Sequence, residues 1–105
     1  MTGQELHQLL LEKWGRSYDI QLRRTQGKIF VQVMWRYLEQ SSFPMTEMEY
    51  IGHLEAVMTY VRGWDAVQQV CIYIEQTRQR PRLGKVVSIP VELGGRQSEW
   101  LLEEY

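Results

Sequence analysis

Four cations stand within one short stretch of the chain: Arg78, Arg80, Arg82 and Lys85. No acidic residue interrupts the sequence between Glu75 and Glu92. A guanidinium presents a planar fork of donors that grips a carboxylate or a phosphate through two parallel hydrogen bonds. The stretch can therefore recognise an acidic protein partner, or the phosphates of RNA or of a small ligand. Arg23 and Arg24, at the end of an expected hairpin, join this patch if the loop folds over them. The plainer reading is a solvated connection whose arginines pair with Glu75, Glu92 or the acidic end of the chain. Trp35 and Trp64 are the candidate aromatic anchors, because aromatic and Arg side chains dominate binding hot spots.

Nothing comparable points to catalysis. Cys71 is expected on the apolar stripe of a helix, where a thiol acts as a small inert hydrophobe. His53 follows Glu49 at a spacing that pairs side chains on a helix surface. His7 reads as an exposed histidine. Two histidines and one cysteine give no zinc spacing, and the chain has neither a Walker loop nor a Gly-x-Gly-x-x-Gly. The expectation is a protein with no catalytic residues, cofactor or metal. A small enzyme built on Glu49, His53 and Cys71 is the alternative, and it requires the three side chains to converge in one pocket.

At 105 residues there is room for one domain with a modest core. The net charge of −1 gives no global field that attracts nucleic acid or anionic lipid. The charge is uneven, however: the positive stretch precedes an end with Glu99, Glu103 and Glu104 against Arg96. Four Trp and six Tyr are generous for this length, which places some of them at the surface. A single cysteine excludes an intrachain disulfide and fits a reducing compartment. No apolar run approaches the roughly 18 residues of a spanning helix. The first residues lack the basic start and apolar core of a signal peptide. A cytoplasmic or stromal location is expected, with no membrane span.

The elements that must position the cations follow from periodicity. Residues 2–14 predict a helix. Thr2 and Glu5 fit a capping box, in which hydroxyl and carboxylate satisfy free N–H groups at the helix start. Gly15 fits a left-handed stop. Tyr18, Ile20 and Leu22 alternate, as do Ile29, Val31, Val33, Trp35 and Tyr37, which predicts strands at 17–24 and 28–38. A turn at Gln26 and Gly27 opposes Leu22 to Val31, Ile20 to Val33 and Tyr18 to Trp35, with all these apolar residues on one face. Residues 46–62 predict a second helix, with Thr46 and Glu49 as its capping box, Tyr50, Leu54, Val57, Met58 and Val61 at helical spacing, and Gly63 as its stop. Asp65 is the expected N-cap of a third helix reaching about Thr77, with Val67, Val70, Cys71 and Ile74 as its stripe; a strand is the competing reading, because this run is β-branched. Pro81 and Gly84 make 79–84 irregular. Val87, Ile89, Val91 and Leu93 alternate as a strand, and Pro90 points it to a sheet edge. The fold class is α+β, in the order α-β-β-α-α-β, with a small three-stranded, mainly antiparallel sheet covered by helices. Residues 1–95 form the domain. Residues 96–105 form an acidic tail with Trp100, Leu101 and Leu102, which packs back on the sheet, awaits a partner or frays.

The run Arg80-Pro81-Arg82-Leu83-Gly84-Lys85, followed by Ser88-Ile89-Pro90, resembles a small uncharacterised family of cyanobacteria and, in plastid-targeted versions, of plants and algae. Tyr73, Ile74, Glu75 and Thr77 add to the likeness, which runs from the first helix to Leu93 and leaves the last ten residues outside. The resemblance implies no reaction. It implies cyanobacterial cytoplasm or plastid stroma, and a role in photosynthetic cells. The function expected is a non-catalytic interaction module, an assembly or regulatory factor, docking through loop 78–85 and the adjacent edge strand.

Overall fold

The computed structural model describes residues 1–93, so the expected tail at 96–105 lies outside the described residues. The chain opens with α1 (Gly3–Trp14), and both halves of its capping box form. Glu5 N–H donates to Thr2 Oγ1 at 3.2 Å, and Thr2 N–H donates to Glu5 Oε1 at 2.8 Å. Gly15, at φ 77°, takes the left-handed position that ends the helix. Thr46 and Glu49 repeat the same device at the start of α2 (Glu47–Gly63).

The end of α2 departs from expectation. Gly63 remains helical, Trp64 is the cap, and Asp65 adopts φ 58°. Asp65 N–H then bonds Arg62 O, and Ala66 N–H bonds Val61 O, both at 3.0 Å. This is a Schellman closure with aspartate in the seat usually taken by glycine. Asp65 thus stops α2 and does not cap α3 (Val67–Gln76), whose cap residue Ala66 makes no side-chain bond. A short polar side chain suits either role, which is why the sequence pattern misplaces it.

β1 (Tyr18–Thr25) and β2 (Lys28–Tyr37) are joined by a two-residue turn, with Gln26 at φ 52° and Gly27 at φ 78°. Positive φ at both positions gives the twist a tight hairpin needs. Leu22 opposes Val31 and Ile20 opposes Val33, as the alternation requires. Tyr18 opposes Tyr37, however, and not Trp35, because the register shifts between Tyr18 and Ile20. β3 (Val87–Val91) runs antiparallel to β2, in the order β1-β2-β3. The fold is the expected α+β arrangement of three helices and a three-stranded antiparallel sheet.

One face of the sheet forms the core floor: Tyr18, Ile20, Leu22, Ile29, Val31, Val33, Val87, Ile89 and Val91 are all buried. Leu6 and Leu10 from α1, Leu54 and Met58 from α2, and Val70 and Ile74 from α3 close over it in one cluster. α1 and α2 approach closely at Gly3. A Cβ there would lie 2.5 Å from Glu55 N and 2.8 Å from its Cα, so only glycine fits. α2 also seals β1: Tyr50 O–H donates to Tyr18 O at 2.7 Å, and His53 Nε2 lies 2.6 Å from Ile20 O. Burial pushes the Tyr50 phenol well above its ordinary range, with the Asp19 and Glu39 charges adding, so the hydroxyl stays a donor.

Candidate functional site

Loop 78–85 starts where α3 ends, and two residues of α1 hold that end. Lys13 Nζ donates to Glu75 O at 3.1 Å and to Thr77 O at 2.8 Å. An ammonium in this place satisfies carbonyls that the helix leaves unpaired and meets the negative end of its dipole. Trp14 Nε1 donates to Gln79 O at 3.2 Å. Pro81 is buried and fixes the middle of the loop. Arg82 and Lys85 then exchange backbone bonds of 3.1 and 2.7 Å across Leu83 and Gly84. Gly84, at φ 77°, supplies the left-handed residue of this tight turn. The stretch is ordered by these bonds, and Leu83 stands at its tip 83% exposed.

Arg78, Gln79, Arg80, Arg82 and Lys85 line one depression of about 360 Å³. All four cations are exposed. The ion pairs among the described residues are His53–Asp19 and Arg62–Glu55, so the arginines pair with neither Glu75 nor Glu92 there. Among the described residues, the loop holds four like charges around one hollow with no carboxylate set into its lining.

Arg23 and Arg24 do not join it. They face Phe30 and Ile29 near the hairpin tip, whereas the loop enters β3 opposite Val33 at the other end of the sheet. Pro90, which faces Phe30, is five positions from Lys85, or about 17 Å of strand. Trp64 is buried in the core, 4% exposed, beside Tyr60 with ring centroids 5.7 Å apart. Trp35 is half-buried on β2, beyond Val33, the last residue paired with β3, and so lies at the sheet end where the loop arrives. Of the residues singled out from sequence, the structure brings together Arg78, Arg80, Arg82 and Lys85.

The neighbouring strand edge is partly occupied. Glu92 N–H donates to Gln69 Oε1 at 2.8 Å, and Gln69 Nε2 donates to Glu92 O at 3.0 Å. Pro90, of the same parity, has no N–H to offer. These two features occupy part of the edge that an added strand would use.

Glu49, His53 and Cys71 serve three separate contacts. Glu49 Oε1 accepts Thr46 N–H at 2.8 Å in the cap of α2. His53 Nε2 faces Ile20 O at 2.6 Å and Asp19 Oδ1 at 3.5 Å. Cys71 Sγ lies 3.6 Å from Met1 Sδ, and burial, with the Glu75 charge adding, raises its thiol pKa. Among the described residues, no group of three or more His, Cys, Asp and Glu is placed to hold a metal ion. No helix among them is long and apolar enough to cross a membrane.

Two features of this region carry no local sequence signal. Lys13 and Trp14 act on carbonyls 62 to 65 residues away. A shallow groove of about 440 Å³ on α3 is lined by Gln69, Ile72, Tyr73, Gln76 and Thr77, the last of which precedes Arg78 of the depression in the chain.

The family model described as Domain of unknown function (DUF3067) matches residues 4–101. The chain belongs to this family, and the match runs past Leu93, further than the resemblance indicates. The chain is similar to the solution NMR structure of the Alr2454 protein from Nostoc sp. strain PCC 7120, a cyanobacterium. The TM-score is 0.88 and the identity 63%, over 99% of this chain and 100% of that one. No curated protein matches the chain.

Proposed function

We propose that this member of the DUF3067 family is a non-catalytic interaction module, an assembly or regulatory factor of photosynthetic cells in cyanobacterial cytoplasm or plastid stroma. It docks an acidic protein partner in the depression of loop 78–85. One observation carries this reading: Arg78, Arg80, Arg82 and Lys85 surround one hollow, held in place by Lys13 and Trp14. Because the loop is already ordered, binding incurs little further loss of backbone freedom. Each exposed ion pair contributes only about 0–1 kcal/mol. A useful partner therefore brings several carboxylates at once, which matches four cations around one hollow. Trp35 lies at the same end of the sheet and is half-buried. The separate contacts of Glu49, His53 and Cys71 speak against the alternative of an enzyme built on those three.

The test is affinity recovery from a cyanobacterial lysate with wild type and the Arg80→Glu/Arg82→Glu variant, with and without nuclease. The expected result is a nuclease-resistant protein held by wild type and lost by the variant. Equal recovery by both baits overturns the proposal. A nuclease-sensitive signal assigns the arginines to RNA phosphates instead, and its steep decline with salt would identify phosphate contacts.

A further inference from the structure

The groove on α3 and the basic depression are lined by neighbouring residues of the chain, Thr77 in one and Arg78 in the other. The groove is the more apolar of the two surfaces. Ile72, 45% exposed, is one of the large hydrophobic side chains that the fold leaves in solvent, and the half-buried Tyr73 ring lies beside it. Gln69, Gln76 and Thr77 frame these two with neutral polar groups. Among the described residues, no charged side chain lines the groove, whereas four cations line the depression.

We propose that the two surfaces form one bipartite site for a linear acidic segment that also carries an apolar anchor. The anchor lies against Ile72 and Tyr73, and its carboxylates enter the hollow of Arg78, Arg80, Arg82 and Lys85. This deepens the acidic-partner reading and rests on it. The spacing follows from the helix. The six steps from Ile72 to Arg78, mostly helical, cover about 10 Å, which about three extended residues span. A segment with its anchor three or four residues from its first carboxylate therefore fits. Division of labour also follows: the carboxylates select the site through charge, and the anchor adds the apolar area that exposed ion pairs lack.

The test uses two synthetic peptides and the full chain. One peptide carries two leucines, a three-residue Gly/Ser spacer and four glutamates; the other has serine in place of both leucines. Each is made in both sequence directions, and affinities are measured by fluorescence anisotropy. The leucine peptide, in one direction, binds wild type about tenfold more tightly than the serine peptide. Ile72→Ser, a surface change checked by unaltered thermal unfolding, lowers the leucine peptide to the serine level and leaves the serine peptide unchanged. Arg80→Glu/Arg82→Glu abolishes both. Equal affinity for the two peptides, or indifference to Ile72→Ser, overturns the bipartite site and leaves the acidic-partner reading standing. Failure of every peptide to bind wild type overturns both.

Discussion

Along β1, the carbonyls of Tyr18 and Ile20 are met by Tyr50 and His53 from α2. At the start of β3, the turn bearing Arg82 and Lys85 bonds, among the described residues, its own backbone and leaves its charges exposed. The first region directs polar groups inward, where a buried donor matched to an acceptor adds stability and an unmatched one costs about 1–3 kcal/mol. The second directs them outward, where they add little stability and stay available. The contrast separates the part of the molecule that holds the fold from the part that offers a surface. It makes the two regions respond to substitution in opposite ways.

The largest effect belongs to the sealed side. Tyr50 is fully buried, so Tyr50→Ala opens a cavity and removes the seal on β1. We expect a loss of about 3–5 kcal/mol in urea unfolding. Tyr50→Phe keeps the ring and loses only the hydroxyl, for about 1–2 kcal/mol. A loss below 1 kcal/mol for the alanine variant would erase the distinction between the two sides.

Gly3→Ala comes next. Alanine normally stabilises a helix relative to glycine. Here its Cβ would meet the α2 backbone at 2.5 Å, and backbone cannot swing aside. The expected change is a destabilisation of about 1–3 kcal/mol, read as a lower urea midpoint. A higher midpoint would show that α1 and α2 have room between them.

Glu55, on the same side, gives a smaller effect that depends on pH. The Arg62 hydrogen bond, then that of Gly3 N–H, lowers the carboxyl pKa in the folded protein. A lowered folded pKa means that the stabilisation is present above the unfolded-state pKa and is lost as pH falls through the folded one. Thermal unfolding across pH should therefore show wild type and Glu55→Gln apart at neutral pH and converging below the carboxylate range. A constant separation at all pH values would contradict the assignment.

Much of this division is legible in the sequence, and the parts that are not share a cause. Capping boxes at Thr2 and Thr46 and the alternation of both hairpin strands are local, and each appears where the pattern places it. The irregularity beside Tyr18 leaves no trace in the pattern, because Trp35 and Tyr37 have the same parity and only pairing distinguishes them. Arg23 and Arg24 fall away from the patch because β3 runs antiparallel to β2 and begins at the end remote from the hairpin tip. No local feature of the hairpin contains that direction. Trp64 is an aromatic whose polar edge is equally at home at a surface or inside, and the Schellman turn that buries it depends on Asp65. The cation cluster was readable because its members are close in sequence; the struts Lys13 and Trp14 were not, because they act across the fold.

The smallest effect on stability carries the most weight. Arg80→Glu/Arg82→Glu alters only exposed side chains of the loop and should change unfolding free energy by no more than about 0.5 kcal/mol. The direct measurement pairs that stability, from urea unfolding, with capture of a nuclease-resistant acidic partner by the same two proteins. The account predicts unchanged unfolding and lost capture. Capture that survives the double reversal, or a loss that comes only with unfolding, would contradict it.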